Sequence, residues 1–489
     1  MIIAFMGNDG SGKTTLAKEL TNIFKDLGFE VIYKHEYEYA VLKFLFKVVG
    51  MEKIDRERKR MLVERKKSWK YYFWPILVWF DIHCSLLYFR LFKRKSVVIL
   101  DRYLYDHYLS FKYLGYLTRF SEWLFIKCSL KPDVGFILWV EPQIAYSRKK
   151  NTHNYSMTFY TEQTERYIRL SRNLGIEAVN TNKTIVETIN EILRVVPEDK
   201  LFLFLRKGMQ NRVLFSVIEK YRLYSVYPYV AQIFKERKKK MEHTLAFVKD
   251  LLEKNGVNYC IIKTLHSEGW IGNDVDILVS RSDFNRIIAR LKESNVFHIS
   301  KFMEKGKADI NISNGLAIDL HSYVGWRNVS FISAEDIILN KNFMFKKENG
   351  LYFANEKINS VIIIITHIFE KGFITLDEYN FLRSFFDEAF MQSYFSHLYT
   401  LLYDYILWIK KILTEKQNHS YPLFIPISIV IKCYLRLLCS RNIQNNIFWK
   451  LKALMRDTSL MIFWKIRYKL KNKLPFEIIE QTNNSACTC

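Results

Sequence analysis

Ile2-Ile3-Ala4-Phe5-Met6 runs directly into Gly7-Asn8-Asp9-Gly10-Ser11-Gly12-Lys13-Thr14, and from Lys13 to about Leu27 apolar residues return at Leu16, Leu20 and Phe24. The unbroken apolar run reads as a buried strand, and the later spacing reads as a helix with one apolar face. Between them the residues follow G-x4-G-K-[ST]. Glycines in that pattern let main-chain N–H groups turn inward onto phosphate oxygens, and the helix start adds favourable partial charge. Lys13 is then placed to reach the β- and γ-phosphates of a bound ATP, and the Thr14 hydroxyl to ligate Mg²⁺. Gly7, Asn8, Asp9, Gly10, Ser11, Gly12 and Thr15 complete the expected binding loop.

Working outward, Phe29 to Tyr33 reads as a second strand, Val97 to Leu100 as a third ending in Asp101, and Val134 to Val140 as a fourth after Lys131-Pro132-Asp133. Helical stretches of ten or more residues separate them, so the fold class is α/β, a P-loop parallel sheet covered by helices. Asp101-Arg102-Tyr103 follows a strand of buried type. A carboxylate there lies on the sheet edge that binds ligands, where Asp101 can orient Mg²⁺ or an acceptor. Arg102 offers a fork for a phosphate. Pro197-Glu198-Asp199 marks the end of this unit near Val196.

These residues resemble the thymidylate kinase family. The likeness rests on Phe5 to Thr15 with an acid at Asp9, on Val97 to Tyr103, and on Pro132-Asp133 leading to Pro142. It continues through the helix carrying Arg148 and through Gly175-Ile176 to Asn182-Lys183, and covers about the first 195 residues. The resemblance implies ATP-dependent phosphorylation of a nucleoside monophosphate. Lys13 and Thr14 would hold ATP and Mg²⁺, Asp9 would lie near the acceptor, and Asp101 and Arg102 would meet acceptor and phosphates. Arg148, with Lys149 and Lys150, would open a lid over the transferring group. On the acceptor side the chain departs from the family. It has Lys34-His35-Glu36-Tyr37 after the second strand, Phe80-Asp81-Ile82-His83 before the third, and Leu104 to Phe111 after Tyr103. The acceptor, dTMP or another monophosphate, stays open.

Beyond residue 200 the pattern is helical, with a basic cluster at Lys235 to Lys240, until Asn255-Gly256. Tyr259 to Ile262, Val275 to Val279 and Leu316 to Leu320 then read as strands, and Asn359 to Phe395 as helical. Alternate strand residues share a face, so Asp274 and Asp276 project together. Two acids side by side are tolerable with a divalent cation between them, and Asp319 on the later strand is a third candidate ligand. His321 and His367 could be ligands, but a lone histidine is more often a hydrogen-bonded core residue, and neither is counted among the expected site residues. This arrangement is similar to the nucleotidyltransferase superfamily over roughly residues 240–390, most of all to an uncharacterised branch with an Asp-Leu-His element. The resemblance implies nucleotidyl transfer from an NTP, with Asp274, Asp276 and Asp319 on Mg²⁺ and Lys263 and Thr264 near the triphosphate. Lys263-Thr264 stands where that family has Gly-Ser. A working metal site, a degenerate one and an unrelated acidic strand all remain open.

A chain of 489 residues allows about three domains, and its 49% hydrophobic and 25% charged content excludes disordered and fibrous classes. The boundaries expected are 1–196 (P-loop domain), 197–240 (helical connector), 241–395 (α+β nucleotidyltransferase-like domain) and 396–489 (basic helical extension). A formal charge of +24 points to anionic partners: nucleotide substrates, and RNA or an anionic surface against the basic C-terminal region, which equally reads as a helical cap with a basic outer face. Seven cysteines without a Cys-x-x-Cys pair fit a reducing compartment, and Tyr71 to Phe92 is interrupted by Pro75, Asp81, His83 and Arg90. A cytoplasmic protein is therefore expected; the oligomeric state is not legible. Three functions follow: a kinase fused to a nucleotidyltransferase, a nucleotidyltransferase with the P-loop as ATP sensor, and a non-catalytic nucleotide-gated binder.

Overall fold

In the computed structural model the chain divides into two compact units, Met1–Pro228 and the residues from Tyr229 onward. The structure describes residues 1–35, 70–149, 155–263, 272, 274–293, 298–326, 329–347, 350–415 and 421–439. Lys150, Thr264, the basic run 56–69 and the basic tail beyond Cys439 lie outside the described residues.

The first unit is built on a five-stranded sheet in the order β2-β3-β1-β4-β5. Its strands are Ile2–Gly7 (β1), Val31–His35 (β2), Val97–Asp101 (β3), Val134–Trp139 (β4) and Glu177–Asn180 (β5), all parallel. Apolar on both faces, β1 takes the centre, where every one of its residues is buried. Phe5 pairs with Asp101, so the glycine loop after β1 and the acid ending β3 leave the same sheet edge side by side. Strand β2 begins two residues later than its apolar pattern. Helix Lys13–Asp26 closes through Phe29 N–H on the Phe24 carbonyl (3.0 Å), and the Phe29 ring packs edge-on against Phe24 instead of entering the sheet.

The stretch 197–240 is shared between the two units. Helices Glu198–Gln210 and Leu214–Lys220 pack on the first: the Phe204 ring lies 4.5 Å from Phe24 and 5.9 Å from Phe29. Asn211 Nδ2 donates to the Leu27 carbonyl and the Tyr221 hydroxyl to Asp26. Helix Lys70–Phe92 is continuous in spite of Pro75, and its segment Tyr72–Phe92 is long and apolar enough to cross a membrane by length and composition. Val78, Ile82 and Leu86 on its inner face are nonetheless buried in the core of the first unit, while Phe73, Leu77, Phe80, Leu87 and Leu91 are exposed.

The second unit is α+β. Helix Pro228–Lys254 leads to a seven-stranded mixed sheet in the order β13-β14-β6-β7-β10-β9-β8. Its strands are Tyr259–Ile262 (β6), Asp274–Val279 (β7), His298–Glu304 (β8), Lys307–Asn311 (β9), Ala317–His321 (β10), Met344–Lys346 (β13) and Tyr352–Ala354 (β14); Tyr323–Trp326 (β11) and Val329–Ser333 (β12) form a separate hairpin. Val275, Ile277 and Val279 face the core with Val248, Leu252, Ile318 and Leu320, which leaves Asp274 and Asp276 on the other face. The helical stretch expected over 359–395 is broken after Glu356–Thr366 by a π-helical turn, His367–Lys371, and a short strand at Phe373–Ile374.

Phe204→Ala removes the ring that joins helix Glu198–Gln210 to Phe24 and Phe29. Opening of the first unit, read from hydrogen exchange at β1 and β3 amides, is expected to become easier by ~3–5 kcal/mol. Unchanged exchange there would place residues 198–225 outside this folding unit.

Candidate functional site

Gly7 closes β1 with φ +148, and a Cβ there would lie 2.0 Å from the Leu138 carbonyl oxygen. Only glycine lets the loop leave the sheet so close to β4. Gly10 and Gly12 also have positive φ, +87 and +79. The loop therefore wraps around Lys13, whose Nζ donates to the carbonyls of Gly7 (2.7 Å) and Asn8 (2.8 Å). Burial, then the neighbouring Arg102, lowers the Lys13 pKa. Ser11 Oγ and Asn8 Oδ1 are buried without a hydrogen-bond partner, and Thr14 stands half exposed at the mouth. Loop, unsatisfied hydroxyl and mouth threonine fit a polyphosphate with its magnesium ion.

The open cleft has a volume of about 360 Å³ and is lined by Asp9 to Leu16, Arg102, Arg148, Lys149, Thr181, Lys183, Ile185 and Thr188. Five cations against one acid make it strongly anion-attracting. Arg148, near the end of helix Pro142–Lys149, donates from Nη1 to the Gly10 carbonyl at 2.9 Å. Arg102 has φ +98, a left-handed backbone uncommon for a long side chain, and its Nη2 meets Asp9 Oδ1 at 3.1 Å. Asp101 is 1% exposed; its Oδ2 accepts from the Tyr33 hydroxyl (3.0 Å) and lies 2.5 Å from His35 Nδ1, while Oδ1 is buried without a partner. Burial, then the charge of Asp101, raises the Tyr33 pKa.

Asp106 is a residue that motif reading passes over. It accepts from the Gly7 N–H (3.2 Å), the Tyr103 N–H (2.8 Å) and the Tyr167 hydroxyl (2.7 Å), and burial raises its pKa. Its signal was present as an acid three residues after Tyr103, the N3 position of a helix beginning at Leu104.

In the second unit Asp276 and Asp319 are cross-strand partners on β7 and β10, and Asp309 on β9 is the next partner in the same row. Asp276, Asp319 and His321 bring one ligand atom each within 4.8 Å of one another; Asp274 is outside that group and His321 takes the third place. His321 Nε2 lies 3.0 Å from Asp276 Oδ1, and Lys263 Nζ lies 3.2 Å from the same oxygen. His367, in contrast, is a core residue, with Nδ1 2.8 Å from the Tyr405 hydroxyl and Nε2 3.2 Å from Glu378. Burial alone would push Asp276 up, but Lys263 and His321 more than offset it and hold it below the ordinary carboxylate range. Burial, then Asp276, Asp274 and Asp309, pushes Asp319 up to about 8. Burial lowers the His321 pKa. Of the basic tail, Lys432 and Arg436 are described, and both pair with Asp404.

Residues 5–196 match the family model for thymidylate kinase. A thymidylate kinase family domain therefore covers the chain up to Val196, the span that holds the glycine loop, Asp101 and Arg148. Among curated proteins the chain is 25% identical over 197 residues to a probable thymidylate kinase of Methanocaldococcus jannaschii, covering 40% of this chain and 94% of that protein. It is 26% identical over 218 residues to one from Archaeoglobus fulgidus (42% and 99%) and 28% identical over 211 residues to the thymidylate kinase of Wolbachia pipientis wMel (39% and 100%). A solved thymidylate kinase from Ehrlichia chaffeensis aligns at 16% identity and TM-score 0.27, over 40% of this chain and 98% of that one.

Between the ordinary carboxyl value of 3.8 and about 8, folded Asp319 keeps a proton that the unfolded chain has released. Stability of the second unit in EDTA should therefore fall as pH rises through that window. Asp319→Asn should flatten the fall in thermal melts recorded at successive pH values; an equally steep fall in the variant would contradict the burial argument.

Proposed function

We propose that the first unit transfers the γ-phosphoryl group of ATP to the phosphate of a nucleoside monophosphate. The observation that carries it is the glycine loop around Lys13, opening on a cleft with Arg102, Arg148 and Lys149. The match of residues 5–196 to thymidylate kinase supports the choice of acceptor class. Loop amides and Lys13 hold the β- and γ-phosphates; Thr14, with Asp101 nearby, would hold Mg²⁺, which supplies charge neutralisation when bound. An acceptor phosphate oxygen attacks the γ-phosphorus, the bond to the β-bridging oxygen breaks, and ADP leaves. Arg148 and Lys149 face the equatorial oxygens, where charge spreads in transfer. Asp9 and Arg102, paired across the mouth, position the acceptor.

Because the relatives are thymidylate kinases, dTMP is the first acceptor to try, followed by dUMP, dCMP, dAMP and dGMP. ADP release with at least one of them is expected, and Lys13→Ala should reduce it by about 10²–10³-fold. Absence of turnover with every monophosphate would overturn the proposal.

One observation favours a second reading for the other unit. Asp276, Asp319 and Lys263 stand together on one sheet face, with Asp274 beside them. Such a set supports nucleotidyl transfer: an acceptor hydroxyl attacks the α-phosphorus of an NTP, the Pα–O bond to the β-phosphate breaks, and pyrophosphate leaves. Asp274, Asp276 and Asp319 would hold Mg²⁺ and Lys263 the triphosphate, with the P-loop unit as partner enzyme or ATP sensor. Labelled NTPs incubated with RNA, protein and sugar phosphates should give pyrophosphate that Asp276→Asn abolishes. Equal release by the variant would remove this reading.

A further inference from the structure

The row of acids on the second sheet concentrates negative charge on one face. Asp276, Asp319 and Asp309 sit directly across from one another on three adjacent strands, a placement that repels when all three are ionised and that a proton or a cation relieves. One cation is already there: Lys263 reaches in with its ammonium 3.2 Å from Asp276 Oδ1, from a backbone held at φ +58 with its N–H on Asn359. A left-handed backbone is uncommon for a residue other than glycine and tends to be kept at functional positions.

His321 changes what kind of cation the place suits. It is 9% exposed, lies two residues after Asp319 on the same strand face, and turns Nε2 toward the acids. Two ligands each ~2.1 Å from an ion and at right angles to it stand ~3.0 Å apart. His321 Nε2 and Asp276 Oδ1 are 3.0 Å apart, and one Asp319 oxygen falls within the same 4.8 Å group. Magnesium favours an all-oxygen shell, whereas an imidazole beside two carboxylates suits first-row transition ions.

We propose that Asp276, Asp319 and His321 form a binding site for a divalent first-row transition ion, with Lys263 as the cation that occupies it at rest. On metal binding Lys263 leaves Asp276 for Asp274 or Glu370, both near enough to act on its charge. Binding releases the Asp319 proton and leaves His321 Nε2 unprotonated, so that two carboxylates balance the ion's charge and the neutral imidazole supplies the third donor. This site deepens the second reading above, since it uses the same carboxylates, but it replaces Asp274 by His321 and magnesium by a transition ion. It does not require that nucleotidyl transfer occur.

The test uses Mn²⁺ with the full chain and no nucleotide, so that the P-loop contributes no metal site and failure of transfer is read separately. One Mn²⁺ per chain is expected, bound at least about tenfold more tightly than Mg²⁺, with nitrogen coupling in its pulsed-EPR spectrum. Growth on ¹⁵N-histidine should convert the coupling from ¹⁴N to ¹⁵N without any change of sequence. His321→Gln should abolish it and weaken Mn²⁺ about tenfold while moving Mg²⁺ much less. Lys263→Met, which removes the resting cation, should tighten Mn²⁺. Four results would overturn the proposal: no Mn²⁺ binding at millimolar concentration, binding without nitrogen coupling, coupling that survives in His321→Gln, or equal affinity for the two ions.

Discussion

Gly7 and the Leu138 carbonyl approach so closely that no side chain fits between them, and the chemistry of the first unit is arranged around that contact. Because the chain turns at Gly7 and not a residue later, the Gly7 N–H finds Asp106 and the Gly7 and Asn8 carbonyls fold over Lys13. Parallel pairing then adds Asp101, level with Phe5, on one side. On the other, Ala145 packs against Gly10, which brings helix Pro142–Lys149 and Arg148 over the loop. The cleft is thus set by backbone geometry first and by charge second.

The two units handle charge in opposite ways. In the first, cations converge on a loop whose amides are themselves electropositive, a field that only an anion relieves. In the second, carboxylates stand in register across a sheet and are relieved by a lysine, a histidine and, we infer, a metal ion. One chain thus carries a cation-lined, kinase-like cleft in its first unit and an acid-lined sheet face in its second.

The parts legible in the sequence were those tied to fixed spacing. The glycine loop, the acid after Val97–Leu100 and the alternation of Asp274 and Asp276 all depend on neighbours a few residues away, and each was found where its pattern placed it. What escaped depended on distant partners. Strand β2 started late because Phe29 is drawn to Phe24 and Phe204. Residues 198–225 read as a connector because nothing local shows that Phe204 fills a gap beside helix Lys13–Asp26. Strands β8 and β9 carry more polar than apolar residues and are joined by a tight turn at Gly306 with φ +85, so no apolar run announced them. Asp309 became visible as part of the acidic row only once the register of β9 and β10 was known.

Isothermal titration of ATP with magnesium into the full chain measures the grip of the glycine turn most directly. Saturable 1:1 heat that disappears in Gly7→Ala is the predicted result. No heat from a folded wild-type protein, or undiminished binding by Gly7→Ala, would contradict it.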